Sequence, residues 1–100
     1  SSNCLEADFT QANLAYAWLY NTNLHGAVLN NANLFNAKMN NANLSDADLT
    51  GATLSQALLQ NANLNNATLD KALLNETDFK GASLNFTDFG TAFKNEAIFE

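Results

Sequence analysis

Few side chains in this chain carry reactive chemistry, and their types and spacing limit what it could do. One thiol, Cys4, and one imidazole, His25, are the only candidates for a nucleophile with its base, or for soft-metal ligation. A thiol becomes reactive beside a base or cation, and structural zinc takes four ligands. Asp46 and Asp48 flank Ala47 and form a carboxylate pair that could loosely hold a cation. They lack the glycine and terminal glutamate of a calcium loop. Asp8, Asp48 and Asp88 recur at intervals of forty residues, the spacing to test for shared-proton chemistry. No glycine-rich phosphate loop is present.

Composition narrows the partners. Four basic residues stand against ten acidic ones, for a formal charge of -6. A nucleic-acid groove needs lysine and arginine against phosphates, so no nucleic-acid partner is expected. A lone cysteine excludes an internal disulfide. No apolar run approaches the roughly 20 residues of a membrane span, and no secretory leader pattern appears. Neither a cofactor nor a membrane partner is expected, and the cytoplasm is the default compartment. The sequons at Asn43, Asn66, Asn75 and Asn85 are what an Asn- and Thr-rich chain produces by accident.

The elements that must position these residues are written in a repeat. From Cys4 onward, every fifth residue forms a series of twenty centres: thirteen Leu, four Phe (Phe9, Phe79, Phe89, Phe99), and one each of Cys4, Met39 and Lys94. Two places before each centre stands Ala in sixteen cases, and otherwise Ser2, Thr22, Thr77 or Thr87. No insertion breaks the register.

Leucine and alanine invite a helix, and the spacing forbids one. A step of five rotates each centre by about 140°, smearing the leucines around the cylinder. A continuous strand fails too, because an odd step sends alternate leucines to opposite faces. The consistent solution makes each five-residue unit one short side of a coil. Its small residue and centre point inward, the residue between them points outward, and the next two turn the corner. Coils then stack at about 4.8 Å. At a spacing of twenty the residue before the centre reads Asn3, Asn23, Asn43, Asn63, Ser83, whereas a spacing of fifteen gives a mixed column. Four sides per coil fit better than three, and stacked Asn side chains can form amide ladders along the axis.

Units such as Ala32-Asn33-Leu34-Phe35-Asn36, Ala42-Asn43-Leu44-Ser45-Asp46 and Ala47-Asp48-Leu49-Thr50-Gly51 resemble the pentapeptide-repeat family, whose signature is A-(D/N)-L-x-x. The resemblance runs from Ser2 to Phe99. It implies an all-β fold, a right-handed quadrilateral β-helix of about five coils forming a single domain over residues 1–100. The coils would begin at Ser2, Thr22, Ala42, Ala62 and Ala82. The expected core is Leu24, Leu29, Leu34, Met39, Leu44, Leu49, Leu54, Leu59, Leu64, Leu69, Leu74 and Phe79.

In that frame the reactive residues disperse. Cys4 becomes an inward packing thiol and His25 an exposed corner residue. Asp8, Asp48 and Asp88 share a column but lie about 9.6 Å apart, too far to share a proton. Lys94 is the one charge at a centre, where burial would be costly. The expectation is that the last coil loosens, freeing Lys94 to solvent while Phe93 packs in its place.

No catalytic constellation assembles, so the expected function is a non-catalytic structural or protein-interaction module. Outward apolar residues gather toward the two ends: Tyr16, Trp18, Tyr20 and Phe35 at one, and Leu73, Phe86, Phe93 and Ile98 at the other, where the last centre, Phe99, adds to the candidate surface. A contiguous patch of this kind marks a contact. The expected partner is another protein or a second copy stacked end to end. The resemblance adds a family especially abundant in cyanobacteria, many members having no assigned role. It also implies an alternative, an acidic DNA mimic that binds DNA gyrase. Duplex DNA would carry roughly 14 charges over a rod of about 24 Å, well above the -6 of this chain.

Overall fold

The computed structural model describes residues 3–100, and Ser2, assigned above to an inward position opening the first coil, lies outside them. Every β-bridge is parallel and joins residues twenty apart, as in Asn3 to Asn23, Asp8 to Val28, Asn13 to Asn33 and Trp18 to Lys38. Four bridge positions therefore fall in each twenty-residue register. The bridge residue is the outward one, between the small residue and the centre. Among the described residues there is no helix, and so none long and apolar enough to cross a membrane.

Backbone hydrogen bonds show why a five-residue unit suffices. Leu44 N–H donates to Asn63 C=O at 2.7 Å, and Asn63 N–H donates back to Ala42 C=O at 2.9 Å. At the corner, Asp46 N–H donates forward to Asn65 C=O at 3.0 Å, while Ala47 N–H closes a turn onto Leu44 C=O at 3.1 Å. The same pattern recurs along the chain, so nearly every inner backbone donor has a partner, as burial demands.

The turn needs a left-handed residue at its second corner position, as a type II turn does. At every described corner but one that residue has positive φ. Asn, Gly and Asp tolerate this conformation best, and they are frequent there. The exception is instructive. Thr91 is β-branched and avoids the left-handed region, so Gly90, one place earlier, takes φ +45° instead. Asp70 of the preceding coil then receives Thr91 N–H at 2.8 Å and the Thr91 hydroxyl at 2.9 Å.

The centres and their small partners form one continuous core. Leu24 is 2% exposed, and Leu29, Leu34, Met39, Leu44, Leu49, Leu54, Leu59, Leu64, Leu69, Leu74 and Phe79 are fully buried. Cys4, Phe9, Leu14, Leu19, Leu84 and Phe89 pack on it half-buried, being covered from one side only. Threonine at a small position buries a hydroxyl, which must find a partner. Thr77 Oγ1 donates to Leu54 C=O at 2.6 Å and Thr87 Oγ1 to Leu64 C=O at 2.7 Å.

Two readings are corrected here. The last coil does not loosen: Leu73 still bridges Phe93, and Asp78 bridges Ile98. Lys94 does reach solvent, its Nζ lying 5.1 Å from the centre of the Phe89 ring. Phe93 does not replace it and is 59% exposed, because the retained register keeps it in the outward column. The space is filled instead by Phe79, Phe89 and Phe99. Phe79 and Phe99 stack at 5.1 Å, with Phe89 edge-on to both.

The amide ladder is the second. Only Asn33 Nδ2 reaches Asn13 Oδ1, at 3.5 Å, among the described stacked bridge-position asparagines. Their oxygens turn to the corner instead: Asn43 Oδ1 accepts Ser45 N–H at 3.0 Å, and Asn23, Asn33 and Asn63 do the same for the residue two ahead. The competing local bond, side chain to own corner, wins because the corner N–H would otherwise lack a partner. Aspartate serves equally: Asp48 Oδ1 accepts Thr50 N–H at 3.1 Å and its hydroxyl at 2.6 Å.

Leu54→Ala should cost about 2–5 kcal/mol, read from urea unfolding, since it opens a cavity in the middle layer. The corner carboxylates set the acid limb of stability. Bonds from the Thr10 hydroxyl and N–H lower Asp8, and bonds from Thr91 N–H and hydroxyl lower Asp70. Burial alone would raise Asp48, but the Thr50 and Asn30 bonds outweigh it and leave it lowered. A carboxylate depressed on folding stabilises above its unfolded value and loses that contribution as pH falls through the folded one. The melting temperature should thus hold from pH 7 to about 5 and drop below about 4. At pH 7, Asp48→Asn, which keeps the corner acceptor, should melt above Asp48→Ala.

Candidate interaction surface

No cavity or cleft opens on the surface of the described residues. Side chains that could do chemistry must therefore do it on an open face. His25 is half-buried rather than an exposed corner residue, and it is not isolated. Its Nδ1 lies 2.7 Å from Ser45 Oγ, and its Nε2 lies 3.6 Å from Asp46 Oδ2. Ser45 and Asp46 are neighbours twenty residues beyond His25, and only the twenty-residue register brings the imidazole to them.

A serine, a histidine and an aspartate in contact invite comparison with a hydrolytic triad, and the proton positions answer it. The Ser45 hydroxyl has one proton, and Oγ donates it to Asn43 Oδ1 at 2.7 Å. With that proton committed to the asparagine, the tautomer that fits the contact has His25 Nδ1 donating to Oγ, and in it the imidazole is no base toward that oxygen. The trio ties two layers together at a corner.

The other candidates stay apart. Cys4 is half-buried at a centre, packed against the apolar core. Asp8, Asp48 and Asp88 each turn to their own corner, receiving N–H from Thr10, Thr50 and Gly90. Asp46 faces His25 while Asp48 faces Thr50, so the pair does not converge on a cation. No group of three metal-ligating side chains comes together among the described residues.

Exposed apolar side chains are the more distinctive feature. Trp18 is 82% exposed and Phe86 88%. Tyr16, Tyr20, Leu5, Leu73, Phe93, Ile98 and Phe99 are exposed as well. Phe35 is half-buried, its ring edge-on to Tyr16 at 5.5 Å. Tyr16, Trp18 and Tyr20 stand at alternate positions of one segment, at the foot of three neighbouring columns.

Charge is unevenly distributed. The columns through residues 6, 8 and 10 hold Glu6, Asp8, Asp46, Asp48, Asp70 and Asp88 without a lysine, and Phe86 stands at the end of the first of them. Half a register away, the columns through residues 16, 18 and 20 hold the aromatic trio and charges of both signs. Reading single positions along the sequence hides this division; writing the chain in rows of twenty exposes it.

Comparison with known proteins agrees with the architecture. A family model described as pentapeptide repeats matches residues 7–46, 27–66 and 57–92. No curated protein matches in sequence. Among solved structures, a pentapeptide repeat protein of the Arabidopsis thaliana thylakoid lumen is 30% identical with a TM-score of 0.73, over 96% of this chain and 63% of that one. HetL from the cyanobacterium Nostoc, involved in heterocyst differentiation regulation, is 30% identical with a TM-score of 0.51, over 97% of this chain and 48% of its own. A second Nostoc pentapeptide repeat protein is 35% identical with a TM-score of 0.58, over 80% of this chain and 62% of that one. The chain thus spans about half to two thirds of the length of these relatives. A repeat matched across nearly the whole length, with parallel bridges at twenty-residue spacing, leaves one assignment: the chain belongs to the pentapeptide repeat family and folds as a right-handed β-helix solenoid.

Proposed function

We propose that this chain is a non-catalytic protein-interaction module, a four-sided column of five coils whose outward side chains meet another polypeptide. The bridges at twenty-residue spacing, four to each register, support the column. One observation carries the function: large aromatic side chains sit in water where the repeat accepts small polar ones, with Phe86 88% and Trp18 82% exposed. The fold does not require them there. Exposed apolar area of this kind is the ordinary mark of a contact surface, and aromatics supply most of the energy at interface centres.

Capture from native extract by the tagged chain tests this. The expected result is a specific protein retained by the parent and reduced at least tenfold by Phe86→Ser with Phe93→Ser, while the melting temperature stays within a few degrees. An identical set of retained proteins with both chains would sink the reading.

A second reading, an acidic DNA mimic acting on DNA gyrase, draws on the lysine-free side. That side carries six carboxylates (Glu6, Asp8, Asp46, Asp48, Asp70, Asp88), against roughly 14 charges on a duplex of about 24 Å. The density falls short by about half, which ranks this reading second. Gyrase supercoiling left unchanged by excess protein would remove it; inhibition would promote it.

A further inference from the structure

One outward column has a pattern that none of the others shares. Its members, in stacking order, are Trp18, Lys38, Leu58, Asp78 and Ile98, joined by consecutive bridges. The order is apolar, cation, apolar, anion, apolar. Turned end for end it meets its own complement: Trp18 faces Ile98, Lys38 faces Asp78, and Leu58 faces Leu58. We propose that two copies of this chain pair side by side and antiparallel through this column, about a two-fold axis passing at Leu58. The proposal rests on the reading of the chain as an interaction module and names its partner as a second copy.

Charge complementarity selects this arrangement over its rivals. With the two copies parallel, Lys38 would meet Lys38 and Asp78 would meet Asp78, and like charges face to face are repulsive. The antiparallel pairing converts both clashes into attractions. Corner columns on either side set no like charges together: in the same register Glu76 meets Asn36, Lys80 meets Asn40, Glu96 meets Tyr16, Glu100 meets Tyr20, and Gln56 and Gln60 meet their own copies. A two-fold contact must be self-complementary in this sense.

The same operation fails on two of the other three outward columns, and the third, Asn3, Asn23, Asn43, Asn63, Ser83, is polar throughout and offers neither a charge pair nor apolar area to cover. On the column Asp8, Val28, Asp48, Thr68, Asp88 it sets Asp8 against Asp88 and Asp48 against itself. On the column Asn13, Asn33, Thr53, Leu73, Phe93 it sets asparagine against phenylalanine and leucine. Pairing through residues 18 to 98 also leaves the six clustered carboxylates facing solvent, away from the partner.

Both charged members keep capacity for a partner. Lys38 Nζ donates to Asn36 C=O at 2.8 Å and to Asn36 Oδ1, leaving one of its three protons. Asp78 accepts Gln60 Nε2 at 2.7 Å and Lys80 N–H at 3.0 Å, leaving lone pairs on each oxygen. Trp18 at 82% and Ile98 at 45% exposure are the apolar groups that the contact would cover. A molecule of 30 × 26 × 24 Å offers a side of roughly 600 Å². Two such sides would bury at most roughly 1,200 Å², the lower edge of specific interfaces, which suits a concentration-dependent pair.

Sedimentation equilibrium of the full chain from micromolar to millimolar concentration should show the mass rising from one copy to two. Lys38→Asp alone and Asp78→Lys alone should each weaken pairing at least tenfold, with far-UV spectrum and melting temperature retained. Mixing these two variants should restore the dimer as a heterodimer, because each then meets the opposite charge at both positions. A parent monomeric throughout the range would overturn the proposal. So would a dimer indifferent to both single substitutions, the result expected of end-to-end stacking, or two weakened variants that fail to pair when mixed. The capture experiment on Phe86 and Phe93 reads other residues, so the wider reading survives or fails separately.

Discussion

The hydrogen-bond register between coils is the constraint from which the rest of this molecule follows. From Cys4 to Phe79 each inward centre donates its N–H to the carbonyl nineteen residues ahead, and from Val28 to Ile98 each outward residue donates to the carbonyl twenty-one behind. Both conditions hold only if the chain returns to the same corner every twenty residues. A single inserted residue would displace every later donor from its acceptor. That explains why no unit of the described chain is longer or shorter than five. It also explains why the corner conformation matters as much as the core. A corner that failed to turn left-handed would misdirect the next side, however well its leucine packed. Where β-branched Thr91 disfavours the usual corner position, the turn survives because a glycine stands next to it and Asp70 receives the Thr91 donors.

From the register comes a division of labour within each unit. The inward wall takes one large and one small side chain per side, and both are buried through the middle coils. The outward asparagine or aspartate is held by local need, since its oxygen accepts the corner N–H two residues on. The second corner residue is chosen for conformation and for what lies below it. At Gly51 a side chain would fall on Asn31 Oδ1, so the glycine leaves room for the asparagine of the preceding coil. Asparagine is abundant here for two separate reasons, capping at one position and left-handed geometry at another.

Much of this could be read before any coordinates, because burial writes itself in period. Leu34, Leu44 and Leu54 recur at a spacing that neither a helix nor a strand can satisfy, and their burial follows. Side-chain hydrogen bonding is not periodic in that sense and was less legible. Asn43 reads equally well as a ladder rung or a corner cap, and only the competing unpaired N–H decides. His25 reads as a lone corner residue because its contacts, Ser45 and Asp46, lie one full coil away. At Lys94 the sequence shows an unfavourable centre without showing which response is softer. The register proved stiffer than the side chain: Phe93 stayed outward, Lys94 swung over Phe89, and Phe79 and Phe99 stacked to fill the space.

The same register limits what such a surface can do. Catalysis needs groups from several elements converging on one point, with a wall to exclude water. Here outward side chains leave each side in parallel, about 4.8 Å apart along a column, and diverge around the corners. Even the one serine–histidine–aspartate contact forms along the stack and spends its proton on the next asparagine. What the geometry does provide is order: five residues of a column held in a line, with the sequence free to vary at each. Information on such a surface lies in the order of residues up a column, where charge and apolar area can be arranged to suit one partner and repel another. The column from Trp18 to Ile98 alternates apolar and charged positions and reverses sign across its middle, whereas the column from Asp8 to Asp88 repeats one sign. Two columns on one stiff frame thus carry different charge orders: reversed end for end, one sets opposite charges together and the other sets like charges together.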